Sequence, residues 1–242
     1  MFYILQKGLI PLHFEGEIMP LTWLIAGAAA TFIIGYLLGS INFALVISKV
    51  FYNDDIRNHG SKGAGMTNML RTYGKKAAAF TLLGDILKTV VAVFIGALLL
   101  GGALSAYGSY YGGLASIIGH VFPLYYGFKG GKGVASAAAM VLFTDPVVFL
   151  ILFVIFVAVV AMTKYISLGS IVAIMFYPIV LNRINMLLWP GEEFVNLHAG
   201  QHTLIAFALG IFIVFLHRAN IKRLRNGEEN KVSFKSKKKE SE

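Results

Sequence analysis

Glycine, hydroxyl, amide and cationic side chains are concentrated in three short stretches of this chain. The first stretch, at 55–76, reads DIRNHGSKGAGMTNMLRTYGKK. Closely spaced glycines allow successive backbone N–H groups to converge on an anion, and the guanidinium of Arg71 can hold two phosphate oxygens at once. Ser61, Thr67 and Asn68 add neutral hydrogen-bonding groups. We therefore expect an anion-binding site here; the alternative is a flexible loop whose charge serves only membrane topology.

The second stretch, at 119–136, reads GHVFPLYYGFKGGKGVAS and lies between two apolar segments. A helix is expected to begin directly after its central lysines and glycines, and a helix start stabilises an anion through free N–H groups and a partial positive charge. Nucleotide binding is disfavoured, because a Walker A loop requires Ser or Thr where this chain has glycine. A tight turn whose lysines only set topology is the simpler alternative. The central residues are Lys129, Gly130, Gly131, Lys132 and Gly133.

The third group of polar residues lies near helix ends in the C-terminal part of the chain. The sequence TKYISLGSI, at 163–171, puts Ser167 and Ser170 on one face of a helix. In HRANIKRLRNG, His217 and Asn220 are likewise three residues apart and share a face. Serine is also a common contact between membrane helices. A structural and a substrate-binding role are therefore equally compatible with this group.

Asp85 and Lys88 lie three residues apart inside an apolar segment. Charged side chains within a membrane helix are costly and are usually paired or functional. We favour mutual pairing over a catalytic role for these two. The chain has no cysteine, which excludes thiolate chemistry. Its carboxylates are scattered, so we expect neither a metal nor a cofactor.

The composition places these stretches in an integral membrane protein. Hydrophobic residues make up 57% of the chain and charged residues only 14%, whereas a soluble domain has about 25% charged residues. No Asp, Glu, Lys or Arg occurs in 21–48 or 89–128, and a spanning helix needs about 20 mostly apolar residues. We predict an all-α polytopic membrane protein with no soluble domain. Its seven transmembrane segments are expected at 21–48, 77–100, 104–127, 133–144, 146–163, 165–182 and 200–216.

The basic residues indicate how these segments are oriented. If the 49–76 loop is cytoplasmic, the 128–132 turn, Lys164 and the tail at 217–242 share its side, and together they carry 18 of the 21 Lys and Arg residues. Cytoplasmic loops retain positive charge, so 1–20 is expected outside and the basic tail inside. The last part of the tail, KVSFKSKKKESE, is expected to be disordered and able to lie on anionic lipid. All three polar stretches then face the cytoplasmic side of the cell membrane.

These residues resemble one family, the bacterial acyl-phosphate:glycerol-3-phosphate acyltransferases. The resemblance runs from GSINFALVISK, which begins at Gly39, to HRANIKRLRNGEE, and the second stretch nearly reproduces the family's central signature. The family implies seven spans with an external N-terminus, which agrees with the charge distribution, and an acyltransferase domain over 21–216. The chain departs from the family's usual residues at five positions. Lys62 stands in place of Gly, Gly63 in place of Asn, Thr89 in place of Gly, Ser136 in place of Thr, and Lys164 in place of Arg.

The implied reaction moves a fatty acyl group from acyl phosphate to the 1-hydroxyl of glycerol 3-phosphate, giving lysophosphatidic acid and phosphate. It is the first committed step of phospholipid synthesis. Because acyl phosphate already has a good leaving group, catalysis by positioning and electrostatics suffices. We assign catalytic roles to Lys132, His217 and Ser61. Substrate-binding roles fall on Arg71, Asn68, Thr67, Lys129, Gly130, Gly131, Gly133, Ser170 and Asn220.

Two questions stay open at the level of the sequence. The proton of the attacking hydroxyl goes either to the departing phosphate or to His217 as general base. The alternative function is a transporter for a small phosphorylated solute, which would show interrupted helices in two related halves. We see no such halves, and we expect a monomer that binds glycerol 3-phosphate, acyl phosphate and bilayer lipid but no nucleic acid.

Overall fold

Helices account for all regular secondary structure in the described part of the chain. The structure is a computed structural model that describes residues 9–13, 20–100, 105–188 and 193–232. The helices, numbered in chain order, are α1 (Leu9–His13), α2 (Leu21–Ser40), α3 (Phe43–Tyr52), α4 (Met66–Thr72), α5 (Lys75–Leu100), α6 (Ser105–Val121), α7 (Val134–Thr144), α8 (Pro146–Thr163), α9 (Ile166–Leu188), α10 (Glu193–Leu216) and α11 (Arg218–Arg225), with 3₁₀ turns at Ile56–Asn58 and Leu124–Tyr126.

The helices form two compact units, Met1–Thr144 and Asp145–Glu242. In the first unit, α2, α5 and α6 pack on one another, and α7 packs on α5 and α6. A buried cluster that includes Leu45, Ile56 and Met69 joins α3, the first 3₁₀ turn and α4. In the second unit, α9 packs against both α8 and α10. Each unit therefore has its own packed helices on which polar residues can be positioned.

The expected membrane class agrees with the lengths and hydropathy of the helices. Four helical segments are long and apolar enough to cross a bilayer, and Gly200–Leu216 with Arg218–Arg225 qualifies as a fifth although the pair is bent by 58°. Each of the seven expected segments is helical over most of its length where the structure describes it. The number of crossings and their orientation stay predictions. The four segments are Leu21–Tyr52, Lys75–Leu100, Pro146–Thr163 and Ile166–Leu187.

The expected single segment at 21–48 is broken at Ile41 and Asn42. Both residues are extended, so α2 ends before them and α3 begins after them. The Asn42 side chain causes the restart, because its Oδ1 accepts a hydrogen bond from the Leu45 N–H at 3.1 Å and caps α3. The Asn42 amide also donates to the Ala64 carbonyl at 3.2 Å. Leu21–Tyr52 is still one candidate span, in agreement with the single segment expected at 21–48. The break inside it was not predicted, because an uncharged asparagine does not interrupt an apolar run.

Glycines set the spacing between the helices of the first unit. A Cβ atom on Gly96 in α5 would overlap the carbonyl oxygen of Gly108 in α6, and the reverse also holds. Between α2 and α6, a Cβ atom on Gly39 would overlap the backbone of Ser116. In lipid, helices associate through close backbone contact rather than through a hydrophobic driving force. These glycines therefore hold α2 and α5 against α6, whose C-terminal end leads to the second polar stretch.

We expect Gly96→Val to destabilise the protein more than any substitution on a helix surface. The new side chain must push α5 away from α6, and overpacking of this kind costs about 1–3 kcal/mol. The measurement is thermal unfolding of the purified protein in detergent. Gly200→Ala is the matched control, because a Cβ atom there meets nothing within 4 Å and alanine favours the helix. Equal unfolding temperatures for the two variants would contradict the close contact between α5 and α6.

Candidate active site

Two loops of the first unit, together with α4, carry most of the predicted site residues. We call 53–65, between α3 and α4, the first loop, and 127–133, directly before α7, the glycine loop. Ser61 lies in the first loop, and Thr67 and Arg71 lie on α4 just after it. The glycine loop carries Lys132, to which a catalytic role was assigned. Its residues that were predicted to bind substrate are Lys129, Gly130, Gly131 and Gly133.

Asn68 holds the first loop in its conformation. Its Oδ1 accepts a hydrogen bond from the Ser61 N–H at 3.0 Å. Its Nδ2 donates to the carbonyls of Ile56, His59 and Gly63 at 3.0–3.1 Å. The residue is 2% exposed. Since both polar atoms are engaged within the loop, the structure supports an organising role for Asn68, and a direct substrate contact stays a prediction.

The glycine loop is anchored to the C-terminal end of α6 by its own backbone. The N–H of Gly130 donates to the Val121 carbonyl and that of Gly131 to the His120 carbonyl, both at 3.1 Å. A Cβ atom on Gly130 would overlap the His120 carbonyl, and one on Gly131 would overlap the His120 ring. The N–H groups of Gly130 and Gly131 are therefore already bonded within the protein, and anion binding is expected only from N–H groups that lack such a partner. The relevant donors are those at the start of α7, because the first N–H groups of a helix have no partner within it.

Arg57 ties the two loops together. Its guanidinium forms an ion pair with Asp55 at 2.6 Å. Its Nη1 donates to the carbonyls of Tyr126 at 2.9 Å and Lys129 at 3.3 Å. The hydrogen bond from Arg57 holds the pKa of the Asp55 carboxyl below its ordinary value. The sequence places Arg57 in a polar stretch, but only the fold shows that it connects this stretch with the glycine loop.

A polar cleft of about 650 Å³ lies between the first loop and the glycine loop. Three of its lining side chains are cationic, which suits a phosphate group. Lys62 has a φ of 57°, in the left-handed region that favours glycine. This backbone conformation explains why the family that the chain resembles usually has Gly at this position. The lining residues are Asp55, Arg57, Asn58, Lys62, Tyr126, Gly127, Lys129 and Gly130.

The second unit holds the remaining predicted residues, one of which, Asn220, contacts a buried carboxylate. Glu229, 6% exposed, accepts hydrogen bonds from Asn220 at 2.8 Å, Ser167 at 3.0 Å and Arg223 at 2.7 Å. Burial raises the pKa of Glu229, but the three hydrogen bonds outweigh it and the net pKa lies below its ordinary value. Sequence reasoning missed Glu229 because an acidic residue in a basic tail resembles a solvated charge.

His217 lies at the bend between α10 and α11 and is buried. Its Nδ1 is 2.8 Å from the Ile213 carbonyl. Because a carbonyl only accepts, Nδ1 carries the proton, and the neutral ring has its lone pair on Nε2. This is the tautomer that a general base requires. Ser170, also buried, donates to the Ile166 carbonyl at 2.9 Å.

The tail is folded further than the sequence predicts. Its first part forms α11, and the N–H of Val232 donates to the Lys164 carbonyl at 2.8 Å. The Lys231 ammonium lies 5.6 Å from the centre of the Tyr165 ring. The expected disorder is therefore wrong for Lys231 and Val232, which contact the stretch before α9. The rest of the expected disordered segment, 233–242, lies outside the described residues.

Metal binding finds no support among the residues that the structure describes. Within those ranges, no group of three or more His, Asp and Glu side chains is arranged to hold a metal ion.

Comparison with known proteins gives one consistent result. A family model described as glycerol-3-phosphate acyltransferase matches residues 29–227. The glycerol-3-phosphate acyltransferase of Finegoldia magna is 40% identical over 83% of this chain and 93% of its own length. That of Clostridioides difficile is 41% identical over 84% of this chain and 94% of its own length.

Solved structures give the same likeness. The crystal structure of PlsY (YgiH), an integral membrane glycerol 3-phosphate acyltransferase, in its glycerol 3-phosphate form has a TM-score of 0.69 and 33% identity, covering 85% of this chain and 96% of that chain. Its lysophosphatidic acid form has a TM-score of 0.66 and 32% identity, with coverage of 85% and 95%. The matched region includes all three polar stretches.

We expect Glu229→Gln to lower the free energy of unfolding by about 1–3 kcal/mol at neutral pH, because an amide cannot pair with Arg223. The folded-state pKa of Glu229 is lowered, so its contribution is present above the ordinary carboxyl pKa and is lost as the pH falls through the lowered value. The deficit of the variant should shrink over that range. Unfolding in detergent at several pH values measures it.

The matched control for this prediction is Glu228→Gln. Glu228 is the neighbouring carboxylate and is exposed. Its only side-chain contact given by the described residues is a long hydrogen bond of 3.5 Å from Asn226. An equal loss of stability in both variants would show that net charge, rather than the buried contacts of Glu229, is responsible.

Proposed function

We propose that this chain, which belongs to the glycerol-3-phosphate acyltransferase family, transfers a fatty acyl group from acyl phosphate to the 1-hydroxyl of glycerol 3-phosphate. It is an integral membrane acyltransferase of phospholipid synthesis. The products of the proposed reaction are lysophosphatidic acid and inorganic phosphate. The choice of donor rests on one observation, the cationic cleft between the first loop and the glycine loop.

The cleft supports a phosphate leaving group for two reasons. Arg57, Lys62 and Lys129 line it, and α7 begins directly after the glycine loop, so backbone N–H groups and a partial positive charge lie nearby. These groups stabilise the negative charge that develops on phosphate as it departs. We assign Lys132, near the end of the loop, to the same phosphate as a further point charge.

The proposed step is a direct acyl transfer. The 1-hydroxyl oxygen of glycerol 3-phosphate forms a bond to the acyl carbon, and the bond between that carbon and the phosphate oxygen breaks. The hydroxyl proton passes to the departing phosphate or to Nε2 of His217. The chain has no cysteine, and a mixed anhydride does not require a protein nucleophile. Positioning of the two substrates then accounts for most of the acceleration.

Roles in binding the acceptor are proposed for residues within each unit separately. Arg71 and Ser61 carry the cationic and hydroxyl groups that a phosphate ester needs, and Ser170, His217 and Asn220 are buried polar groups of the second unit. The Nδ2 of Asn220 donates to Glu229, so the side-chain carbonyl oxygen of Asn220 points away from that carboxylate. PlsY, with its glycerol 3-phosphate and lysophosphatidic acid forms, supports this acceptor and this product.

The proposal also includes the location of the reaction. The polar stretches carry most of the positive charge of the chain, and positive charge is retained on the cytoplasmic side. We therefore place the active site at the cytoplasmic face of the bacterial cell membrane, where both phosphorylated substrates are soluble or anchored. The acyl chain of the donor enters from the bilayer. The enzyme is proposed to act as a monomer without a metal.

The proposed donor can be tested directly. Purified protein is supplied with labelled glycerol 3-phosphate and either palmitoyl phosphate or palmitoyl-CoA at equal concentration, and labelled lysophosphatidic acid is measured. We expect turnover with palmitoyl phosphate and little or none with palmitoyl-CoA, because the cleft suits one phosphate and a thioester has a worse leaving group. Comparable rates from the two donors would refute the proposed donor.

We expect Lys132→Ala to reduce turnover by at least about 10²-fold, the usual effect of removing one group that stabilises developing charge. The control is Lys76→Ala, which removes an exposed lysine from the first turn of α5 and should leave turnover unchanged. Both variants are first checked for a monodisperse elution profile in detergent. Near-normal activity of folded Lys132→Ala protein would remove Lys132 from the mechanism.

A further inference from the structure

A buried charged cluster lies beneath the glycine loop. It consists of Asp85 and Lys88 on α5 and His120 at the end of α6, each at most 4% exposed. The predicted pairing of Asp85 with Lys88 is confirmed, with 2.8 Å between Oδ1 and Nζ. The participation of His120 was not foreseen, because it comes from the packing of α6 against α5.

The ammonium group of Lys88 has three acceptors around it. Asp85 Oδ1 and the Ile41 carbonyl are each 2.8 Å from Nζ, and Nδ1 of His120 is 3.0 Å away. An ammonium has three N–H donors and no lone pair. Since the ammonium cannot accept a hydrogen bond, the Nδ1 of His120 must be the acceptor.

This contact selects one tautomer of His120. A proton on Nδ1 would point a donor at the ammonium of Lys88, so Nδ1 stays unprotonated although Asp85 is only 3.4 Å away. The neutral ring then carries its proton on Nε2. Lys88 and Asp85 thus fix the direction in which His120 donates.

The Nε2 of His120 faces the glycine loop. A Cβ atom on Gly131 would overlap Nε2, so only glycine lets the loop lie directly against the ring. Within the described ranges, no residue accepts a hydrogen bond from Nε2. Although the ring is buried, Nε2 is not among the fully enclosed, unpaired side-chain atoms of the described residues. Its N–H is therefore open to an acceptor bound at the loop.

We propose that His120 is a further substrate-binding residue, whose Nε2–H donates to a phosphate oxygen held at the glycine loop. The proposal rests on the function proposed above, in which this loop holds the phosphate of the acyl donor. Lys88 and Asp85 are positioning residues that act through His120. A phosphate oxygen fits because it is an anionic acceptor, and the residues of the loop just before Gly131, Lys129 and Gly130, line the cationic cleft.

The first test needs no turnover. Full-length protein labelled with ¹⁵N-histidine is studied by NMR in detergent, and the His120 signals are assigned by their loss in His120→Gln. We expect a neutral ring with its proton on Nε2, and a shift of that N–H signal when inorganic phosphate is added but not when sodium chloride of equal ionic strength is added. A proton on Nδ1, a doubly protonated ring, or no response to phosphate would overturn the proposal.

The second test separates the two phosphorylated substrates. We expect His120→Phe to raise the KM for palmitoyl phosphate about 10- to 100-fold, the value of one hydrogen bond to a charged group, with little change in the KM for glycerol 3-phosphate. His120→Gln, which keeps an N–H donor, should recover part of the loss. His13→Phe is the matched control and should leave both KM values unchanged.

The outcomes distinguish this inference from the proposed function. If KM rises only for glycerol 3-phosphate, the phosphate next to His120 belongs to the acceptor, and the assignment to the donor is wrong. If palmitoyl phosphate supports turnover but neither KM changes, His120 has no binding role while the proposed reaction stands. If His120→Phe does not fold, the tautomer and the phosphate response of the unsubstituted protein still decide the matter.

Discussion

The geometry of the first unit depends on the pairing of one buried cation, the ammonium of Lys88. A charge inside an apolar helix bundle needs partners, and the three partners of Lys88 lie on three different segments. Asp85 is on α5, as is Lys88 itself, the Ile41 carbonyl marks the end of α2, and His120 is at the end of α6. The Ile41 carbonyl is free of helical bonding because α2 stops there, so the cation also caps that helix. One side chain thereby fixes three helix segments relative to one another.

The two functional loops are held from both sides. On the inner side, Asn42 bonds to the Ala64 carbonyl of the first loop, and Gly131 lies between that carbonyl and the ring of His120. On the outer side, Arg57 bonds across to the carbonyl of Lys129. The backbone of the cleft walls is therefore fixed by polar contacts, and the guanidinium of Arg57 is in place before a ligand arrives. Such preorganisation is what makes electrostatic catalysis effective.

Local features of the site could be predicted from the sequence, whereas the contacts between residues far apart in the sequence could not. Clustered glycines and lysines indicated the glycine loop, and the three-residue spacing of Asp85 and Lys88 indicated their pairing. Family resemblance, rather than chemistry, supplied the roles of Ser170 and Asn220. His120 was unassigned because its partners come from another helix. The break at Asn42 was missed because the run around it carries no charge, and periodicity does not report a single competing amide.

Glu229 is the buried charge that organises polar side chains in the second unit, as Lys88 is in the first. It is a buried carboxylate that gathers Ser167, Asn220 and Arg223, whereas Lys88 is a buried cation that gathers acceptors. Replacing buried ion pairs with apolar side chains is often neutral or stabilising, so stability alone does not explain either cluster. Apolar packing also gives little directional control in lipid, where the surroundings are as apolar as the side chains. We infer that the buried charges serve orientation: each fixes the hydrogen-bonding direction of a neighbouring imidazole or amide, which apolar packing cannot do.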